Sequence, residues 1–110
     1  MLHPPSTNRQ TLEKIASIFR SLAEPTRLAI LQELKDRERT VNEMAEAIGT
    51  SQPNVSKQLR LLYEAGFLGR EEQGISVRYR VKGDLFLRLC DLVCERLNQQ
   101  AREAVPHYSV

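Results

Sequence analysis

The stretch TVNEMAEAIGTSQPNVSKQLRLLYEAG, residues 40–66, encodes two short helices together with their start and stop signals. Thr40 and Glu43 have the spacing of a capping box, in which the threonine side chain accepts a hydrogen bond from the glutamate backbone and the carboxylate reaches back. Gly49 provides the left-handed residue that ends the first helix. Ser51 is a second N-cap and begins a helix that runs to a further glycine. Two capped helices joined by a short turn predict a helix-turn-helix, whose second helix enters the major groove in DNA-binding proteins.

Helical periodicity predicts two more helices before this pair. A frayed tail over residues 2–8 precedes a first helix from about residue 10 to residue 23, in which apolar side chains recur at helical spacing. Glu24 precedes a proline and is therefore disfavoured in a helix, whereas Pro25 suits the first position of a second helix. The charged residues 35–39 that follow predict a solvated turn.

The pattern changes behind the helix-turn-helix, where two strands are predicted over residues 67–72 and 76–81. A hairpin in this position is a wing. Asp84 then caps a last long helix that runs to about residue 104. The whole pattern predicts a mainly α fold with a small β-hairpin, a winged helix-turn-helix of about five helices and a two-stranded wing. The length is that of one domain, so we assign residues 1–110 to a single domain.

The second helix of the pair separates into an inner and an outer side when its residues are placed about 100° apart. With Val55 pointing inward, Leu59 and Leu62 join it, while Pro53, Lys57, Arg60 and Glu64 point outward. Short polar side chains near the helix start can reach base edges, and cations further along can contact phosphates. An arginine on the wing suits a phosphate or minor-groove contact. The predicted DNA-binding set is Ser51, Gln52, Pro53, Asn54, Ser56, Lys57, Gln58, Arg60 and Arg78.

Charge and composition leave fewer functions open than the helix pattern alone. The net charge of +2 is only mildly basic, but residues 49–63 contain Lys57 and Arg60 and no acidic residue. This stretch favours a nucleic-acid partner over the alternative, a winged helix that serves only as a protein-interaction module. No Cys–His pair within one segment, phosphate-binding glycine loop or metal-hydrolase motif is present, so no enzyme is predicted. The absence of a signal peptide and of a roughly 18-residue apolar run predicts a cytoplasmic location and no membrane partner.

Several sequence blocks resemble the ArsR/SmtB family of bacterial winged helix-turn-helix repressors. They occur in the family's order over roughly residues 12–82, and they are LAEPTRL at 22–28, Met44-Ala45, SQPNVSKQL at 51–59, residues 62–66 and Tyr79. The resemblance implies a homodimeric repressor that is joined through its first and last helices. It also implies that a metal ion or another chemical signal releases the repressor from operator DNA.

Two departures from the family pattern concern the signal that is sensed. Family members with a thiolate site on the third helix carry cysteines there, whereas residues 41–48 contain none. Members with a zinc site on the last helix begin it with an Asp-x-His pair, and the corresponding Asp84-Leu85-Phe86 lacks the histidine. The chain's two histidines, His3 and His107, lie in its tails. Neither well-known metal site is therefore expected.

The first and last helices carry more apolar side chains than a five-helix monomer can cover. An exposed apolar surface of this kind marks an interface, and a short chain gains stability by sharing a core with a second subunit. We therefore predict an obligate homodimer, with an interface that contains Leu12, Ile15, Phe19, Phe86, Val93 and Leu97.

Cys90 and Cys94 are the chain's two cysteines and stand four residues apart on the last helix. Cβ atoms at this spacing lie about 5–6 Å apart, whereas a disulfide requires about 3.5–4.5 Å. Three interpretations stay open: two small buried hydrophobes, a soft-metal or metalloid site, and a redox or persulfide sensor. The cofactor prediction is accordingly a soft metal or metalloid ion at these thiols, and the alternative is a repressor without a small-molecule sensor site.

Overall fold

The computed structural model describes residues 5–101 and 107–110. Five helices and three strands follow one another in the first of these ranges. In chain order they are α1 (Pro5–Leu22), α2 (Pro25–Leu34), β1 (Arg39–Thr40), α3 (Val41–Ile48), α4 (Gln52–Glu64), β2 (Leu68–Gln73), β3 (Ser76–Val81) and α5 (Leu85–Gln100). This order, with the hairpin directly behind α4, confirms the predicted winged helix-turn-helix. None of the described helices is long and apolar enough to cross a membrane.

Helix α1 begins earlier than the sequence pattern predicts. The predicted tail over residues 2–8 is wrong for residues 5–8, which form the start of the helix, while residues 2–4 lie outside the described residues. Pro5 stands at the first helical position, where its missing N–H would have no intrahelical acceptor in any case. A proline near the start of a helical pattern can therefore be the first residue of the helix, not only a residue that precedes it.

A side-chain cap fixes the junction between α1 and α2. The Glu24 carboxylate accepts hydrogen bonds from the backbone N–H groups of Thr26 and Arg27, at 3.1 and 3.2 Å. Glutamate is not among the preferred N-caps, but its carboxylate satisfies two of the amides that a helix start leaves without partners. The hydrogen bond from the Thr26 backbone is the main reason that the pKa of the Glu24 carboxyl is lowered. The cap holds Arg27 in the first turn of α2, close to the candidate site.

The start and stop signals of the helix-turn-helix are confirmed. Thr40 Oγ1 accepts from the Glu43 N–H at 3.2 Å, and the Glu43 carboxylate accepts from the Thr40 N–H at 2.8 Å. The second of these contacts is the main cause of a lowered pKa at the Glu43 carboxyl. Gly49 ends α3 with a φ of 78°, and Ser51 Oγ accepts from the Asn54 N–H at 3.3 Å. These contacts fix the turn and hence the start of α4.

The wing belongs to a three-stranded antiparallel sheet with the order β1-β3-β2. Arg39 and Thr40 form β1 and pair with β3. The prediction of a solvated turn over residues 35–39 is therefore wrong at its last residue, because a strand of two residues shows no alternating pattern. Strand β2 starts one residue later than predicted, at Leu68, whereas β3 has the predicted bounds.

Helix α5 begins at its predicted cap, but the cap works differently. Asp84 is the N-cap residue, and its side chain makes no capping hydrogen bond. The helix ends at Gln100 with Ala101 as its C-cap, so the predicted extension to residue 104 is wrong at residue 101, while residues 102–104 lie outside the described residues. Phe86 in the first turn is only 2% exposed and belongs to the protomer's own core. Its prediction as a dimer-interface residue is therefore wrong, because its surface is already covered within one chain.

The core lies between α2, α3, α4 and the inner side of the sheet. Val55, Leu59 and Leu62 are 0% exposed, which confirms the predicted inner side of α4. Truncating such a leucine to alanine costs about 2–5 kcal/mol, so the core holds α4 firmly in one orientation. The buried apolar side chains are Ile30, Leu31, Leu34, Met44, Ala45, Val55, Leu59, Leu62, Phe67, Leu68, Tyr79 and Phe86.

Candidate nucleic-acid interface

The outer side of α4 carries most of the predicted DNA-binding set. Lys57 and Arg60 are three residues apart and are therefore neighbours on the helix surface. The start of the same helix presents the positive end of the helix dipole. Residues 49–63 contain no acid, so this side suits a polyanion up to its last turn, where the exposed Glu64 ends the helix. Six of the predicted residues are exposed at the start of α4 or along it: Ser51, Gln52, Pro53, Ser56, Lys57 and Arg60.

Asn54 and Gln58 are less exposed than the other predicted contacts. Gln58 is 8% exposed, so the prediction that it contacts DNA directly is wrong, because a buried amide cannot reach a groove. Its Oε1 accepts from Arg27 Nη1 at 2.9 Å, and its Nε2 donates to Asn54 Oδ1 at 3.3 Å. Asn54 is half-buried, and its Nδ2 donates to Thr50 Oγ1 at 3.2 Å. Asn54 therefore stays a candidate base contact, and Gln58 supports it from beneath.

Arg78 on β3 is half-buried and already has partners. Its Nη1 lies 3.7 Å from Glu43 Oε1, and its Nε donates to Gln73 Oε1 at 3.2 Å. A partly exposed ion pair of this kind contributes at most about 1 kcal/mol. A phosphate can therefore take the place of the carboxylate, and Arg78 stays a candidate backbone contact.

The base of the wing is attached to the end of α4. The Arg70 guanidinium lies over the Tyr63 ring, 4.3 Å from its centroid, which is within the range of a cation–π contact. On the neighbouring strand, the Arg80 guanidinium lies so close to Gly69 that a Cβ there would stand 2.8 Å from Arg80 Cζ. The Arg70–Tyr63 contact thus links the wing to α4, and the close approach of Arg80 to Gly69 joins the two strands of the wing.

Two residues of this site cannot be found from helical spacing. Arg27 lies on α2, 31 residues away from its partner Gln58, and Thr50 lies in the turn before α4. Long-range hydrogen bonds leave no periodic trace in a sequence. The one available signal is that Arg27 falls in the LAEPTRL block of the family resemblance.

A second surface, here called the α1/α5 face, carries exposed apolar side chains. Leu12, Ile15 and Phe19 on α1 are 60%, 45% and 54% exposed, and Val93 on α5 is 56% exposed. Leu97, one turn beyond Val93, is half-buried. Large apolar side chains grouped in this way mark an interaction surface.

A groove of about 380 Å³ runs between α1, α5 and the chain's last residues. The tail is held by the Asn98 side chain, because Asn98 Oδ1 accepts from the Tyr108 N–H at 2.6 Å and Asn98 Nδ2 donates to the Tyr108 carbonyl at 3.0 Å. The groove is lined by Phe19, Leu22, Leu28, Leu89, Cys90, Val93, Cys94, Leu97, Tyr108, Ser109 and Val110.

Both cysteines are free, half-buried and in the wall of this groove. Burial raises the pKa of the Cys90 thiol, and the nearby charges of Cys94 and Asp91 add to the rise. Within the described part of the chain, no three His, Cys, Asp or Glu side chains group closely enough to hold a metal ion. His107 is exposed in the tail, and His3 lies outside the described residues. The described part of one protomer therefore brings two thiols together, which is fewer than the four ligands of a closed structural metal site.

The fold and these two surfaces define a winged helix-turn-helix protein with a cationic α4 and an apolar α1/α5 face. A family model described as a helix-turn-helix domain matches residues 22–70. The probable mercury resistance operon repressor of Streptomyces lividans is 42% identical over 91 residues, which are 83% of this chain and 64% of the relative. The HTH-type transcriptional regulator NmtR of Mycobacterium tuberculosis is 37% identical over 82 residues, which are 74% of this chain and 68% of the relative.

A solved structure agrees with these sequence relatives. The homodimeric winged helix-turn-helix DNA-binding domain Mb0332 of Mycobacterium bovis matches with a TM-score of 0.75 at 28% identity, covering 100% of this chain and 98% of that chain. The chain belongs to the ArsR/SmtB family of winged helix-turn-helix regulators. It spans 58% and 64% of the length of the first curated relatives that it matches. These relatives are named as transcriptional repressors, a class distinct from enzymes.

Proposed function

We propose that this protein is a homodimeric transcriptional repressor that binds double-stranded operator DNA with α4 of each subunit. The observation that carries this function is the exposed side of α4, where Lys57 and Arg60 stand opposite a fully buried inner side and no acidic residue occurs before Glu64, the last residue of the helix. The names of two similar proteins support it, since one is an operon repressor and the other a homodimeric DNA-binding domain.

The α4 side chains divide into two groups by their reach. Gln52, Asn54 and Ser56 are short hydrogen-bonding groups near the helix start, where a recognition helix contacts base edges. Lys57 and Arg60 are long cations that contact phosphates and fix the register of the helix on the duplex. Ser51 and Pro53 shape the start of α4, and Arg78 adds a backbone contact from the wing.

The first expected result is a two-fold operator. Reading helices that enter successive major grooves lie about 34–36 Å apart, so the two half-sites should be centred about one helical turn apart. Selection of bound duplexes from a random pool, followed by footprinting, measures both the symmetry and the spacing. A selected motif without two-fold symmetry would contradict the dimeric arrangement. A failure to retain any duplex would favour the protein-interaction module instead.

We further propose that a soft metal or metalloid ion at Cys90 and Cys94 releases the repressor. Soft ions prefer thiolate ligands, and the two thiols share one groove wall on the helix assigned to the dimer interface. Two such pairs meeting at a dimer axis would supply up to four sulfurs. The raised pKa of the Cys90 thiol reduces the fraction of thiolate that an oxidant can attack, and a metal ion that binds there must displace the thiol proton. A similar protein is named for mercury resistance.

The double variant Cys90→Ser plus Cys94→Ser is expected to bind operator DNA but to keep it when mercury(II), cadmium or arsenite is added. Wild-type affinity should fall about 5- to 150-fold under the same reagent, the usual range of such coupling. Fluorescence anisotropy of labelled operator measures both proteins, with peroxide and polysulfide as further additions. Release by polysulfide or peroxide alone would replace the metal with a redox or persulfide signal. If no reagent changes the affinity of the wild type for operator DNA, the repressor has no thiol sensor.

A further inference from the structure

A chain of side-chain hydrogen bonds runs from α2 to the start of α4. Arg27 Nη1 donates to Gln58 Oε1 at 2.9 Å, Gln58 Nε2 donates to Asn54 Oδ1 at 3.3 Å, and Asn54 Nδ2 donates to Thr50 Oγ1 at 3.2 Å. This series of hydrogen bonds therefore ends at Asn54 and Thr50, at the start of α4, where the helix is proposed to contact base edges.

Arg27, the first residue in this series of hydrogen bonds, is also bonded to the end of α1. Arg27 Nε donates to the Ser21 carbonyl at 2.7 Å, and Arg27 Nη2 donates to the Arg20 carbonyl at 3.2 Å. These two acceptors belong to the last turn of α1, and the Arg20 carbonyl also accepts from the Ala23 N–H at 3.2 Å. The guanidinium thus has its position fixed from one side, and Gln58 approaches it from the other.

The chemistry of arginine fixes the direction of every bond in the chain. A guanidinium only donates hydrogen bonds, whereas a primary amide has a donor end and an acceptor end. Gln58 must therefore turn its oxygen to Arg27 and its NH₂ group to Asn54. Asn54 in turn must direct its oxygen to Gln58 and its NH₂ group to Thr50. The assignment of oxygen and nitrogen in the two amides thus rests on a donor-only group rather than on their similar shapes.

We propose, on the basis of the operator binding proposed above, that Arg27 and Gln58 are positioning residues that set the direction of the Asn54 amide. After its two contacts within the protein, Asn54 retains one N–H on its nitrogen and one lone pair on its oxygen. These remaining groups stand in a fixed order along the helix surface. An amide contacts a base edge through such an ordered donor and acceptor, as in the pairing of asparagine with adenine. Gln58 thereby determines base preference without touching a base.

The substitution Gln58→Glu tests the proposed positioning role directly, because it keeps the side-chain shape while it removes the hydrogen-bond donor and adds a negative charge. The carboxylate still accepts from Arg27, with a charge-assisted bond. It cannot donate to Asn54, so the Asn54 amide should reverse, with its NH₂ group toward the new carboxylate and its oxygen accepting from the Thr50 hydroxyl. Random-pool selection should then yield a different base at one position in each half-site. Discrimination for the wild-type base there should fall about tenfold, as expected for one base contact.

Two controls separate positioning from a general structural effect. Gln58→Met has a similar length without polar atoms and should weaken the preference at that position without creating a new one. In an Asn54→Ala background, Gln58→Glu should no longer change the relative base preference, although its charge lowers affinity for all sequences. A change of preference that persists without Asn54 would overturn the assignment, and thermal unfolding of each variant checks that the fold is kept.

A measurement without DNA keeps this inference distinct from the proposed function. NMR contacts from the Asn54 side-chain NH₂ protons should connect to Thr50 in the wild type and to residue 58 in the Gln58→Glu variant. Contacts that do not move would overturn the inference even if the operator is bound. If the NMR contacts move but no duplex is retained from the pool, Gln58 does set the direction of the Asn54 amide. The role of that amide in base preference then fails together with the proposed function.

Discussion

The substitution Val93→Asp is expected to give a folded monomer that no longer retains operator DNA. Val93 is 56% exposed in the protomer, so an aspartate there is solvated in the monomer and does not disturb the core. In the proposed dimer the same carboxylate would be desolvated in an apolar interface, once from each subunit, and an unpaired buried charge costs several kcal/mol. Loss of the second reading helix then removes the gain from bivalent binding, which amounts to about 10²–10⁴ in affinity.

Sedimentation measures the assembly state of this variant, circular dichroism its fold, and fluorescence anisotropy its operator binding. Gln99→Glu is the matched control, because it adds one negative charge on the same helix at an exposed polar position. The control should remain dimeric and should bind operator within a few-fold of the wild type. A Val93→Asp protein that is still dimeric and binds normally would place the subunit interface elsewhere. A wild-type protein that sediments as a folded monomer would reject the α1/α5 face altogether.

The features that the sequence predicted well are those specified by neighbouring residues. The capping box of Thr40 and Glu43 needs only two side chains at a fixed spacing, and the left-handed end at Gly49 needs only one residue type. The inner side of α4 follows from the helical repeat alone. The same repeat places Gln58 only about 60° from Val55, which agrees with its burial, although its polarity favoured an outward position.

The features that the sequence did not predict depend on residues far apart in the chain. Strand β1 exists because Arg39 and Thr40 pair with β3, and two residues are too few for an alternating pattern. The Gln58 side chain can be buried because Arg27, on α2, donates a hydrogen bond to its amide oxygen. Phe86 has the helical spacing of an interface residue, but the protomer's own core covers it. Each of these depends on how the elements pack, which spacing within one element cannot specify.

Removing both cations from the outer side of α4 should weaken binding to every duplex alike. Each phosphate contact contributes about 0.9 to the slope of log affinity against log salt concentration. A dimer of the Lys57→Ala plus Arg60→Ala variant lacks four such cations, so its slope should be shallower by as much as about 3.6. Base preference should be kept, because Asn54 and Ser56 still contact the base edges. Anisotropy titrations at several salt concentrations, on the selected operator and on a scrambled duplex, measure both quantities.

The matched control for these charges is Lys14→Ala plus Arg88→Ala, which removes two cations from exposed positions on α1 and α5. Because these positions lie outside the proposed DNA surface, the control changes net charge equally but should alter the salt slope by less than about one unit, the value of one phosphate contact. Equal slopes for both double variants would mean that only net charge acts, through long-range attraction. An unchanged salt slope in the Lys57→Ala plus Arg60→Ala variant would mean that the DNA-binding surface does not lie on α4. The cations of the wing would then be the next to be substituted. A major-groove recognition helix requires a shallower salt slope in the α4 double variant, an unchanged slope in the control variant, and an unchanged base preference in both.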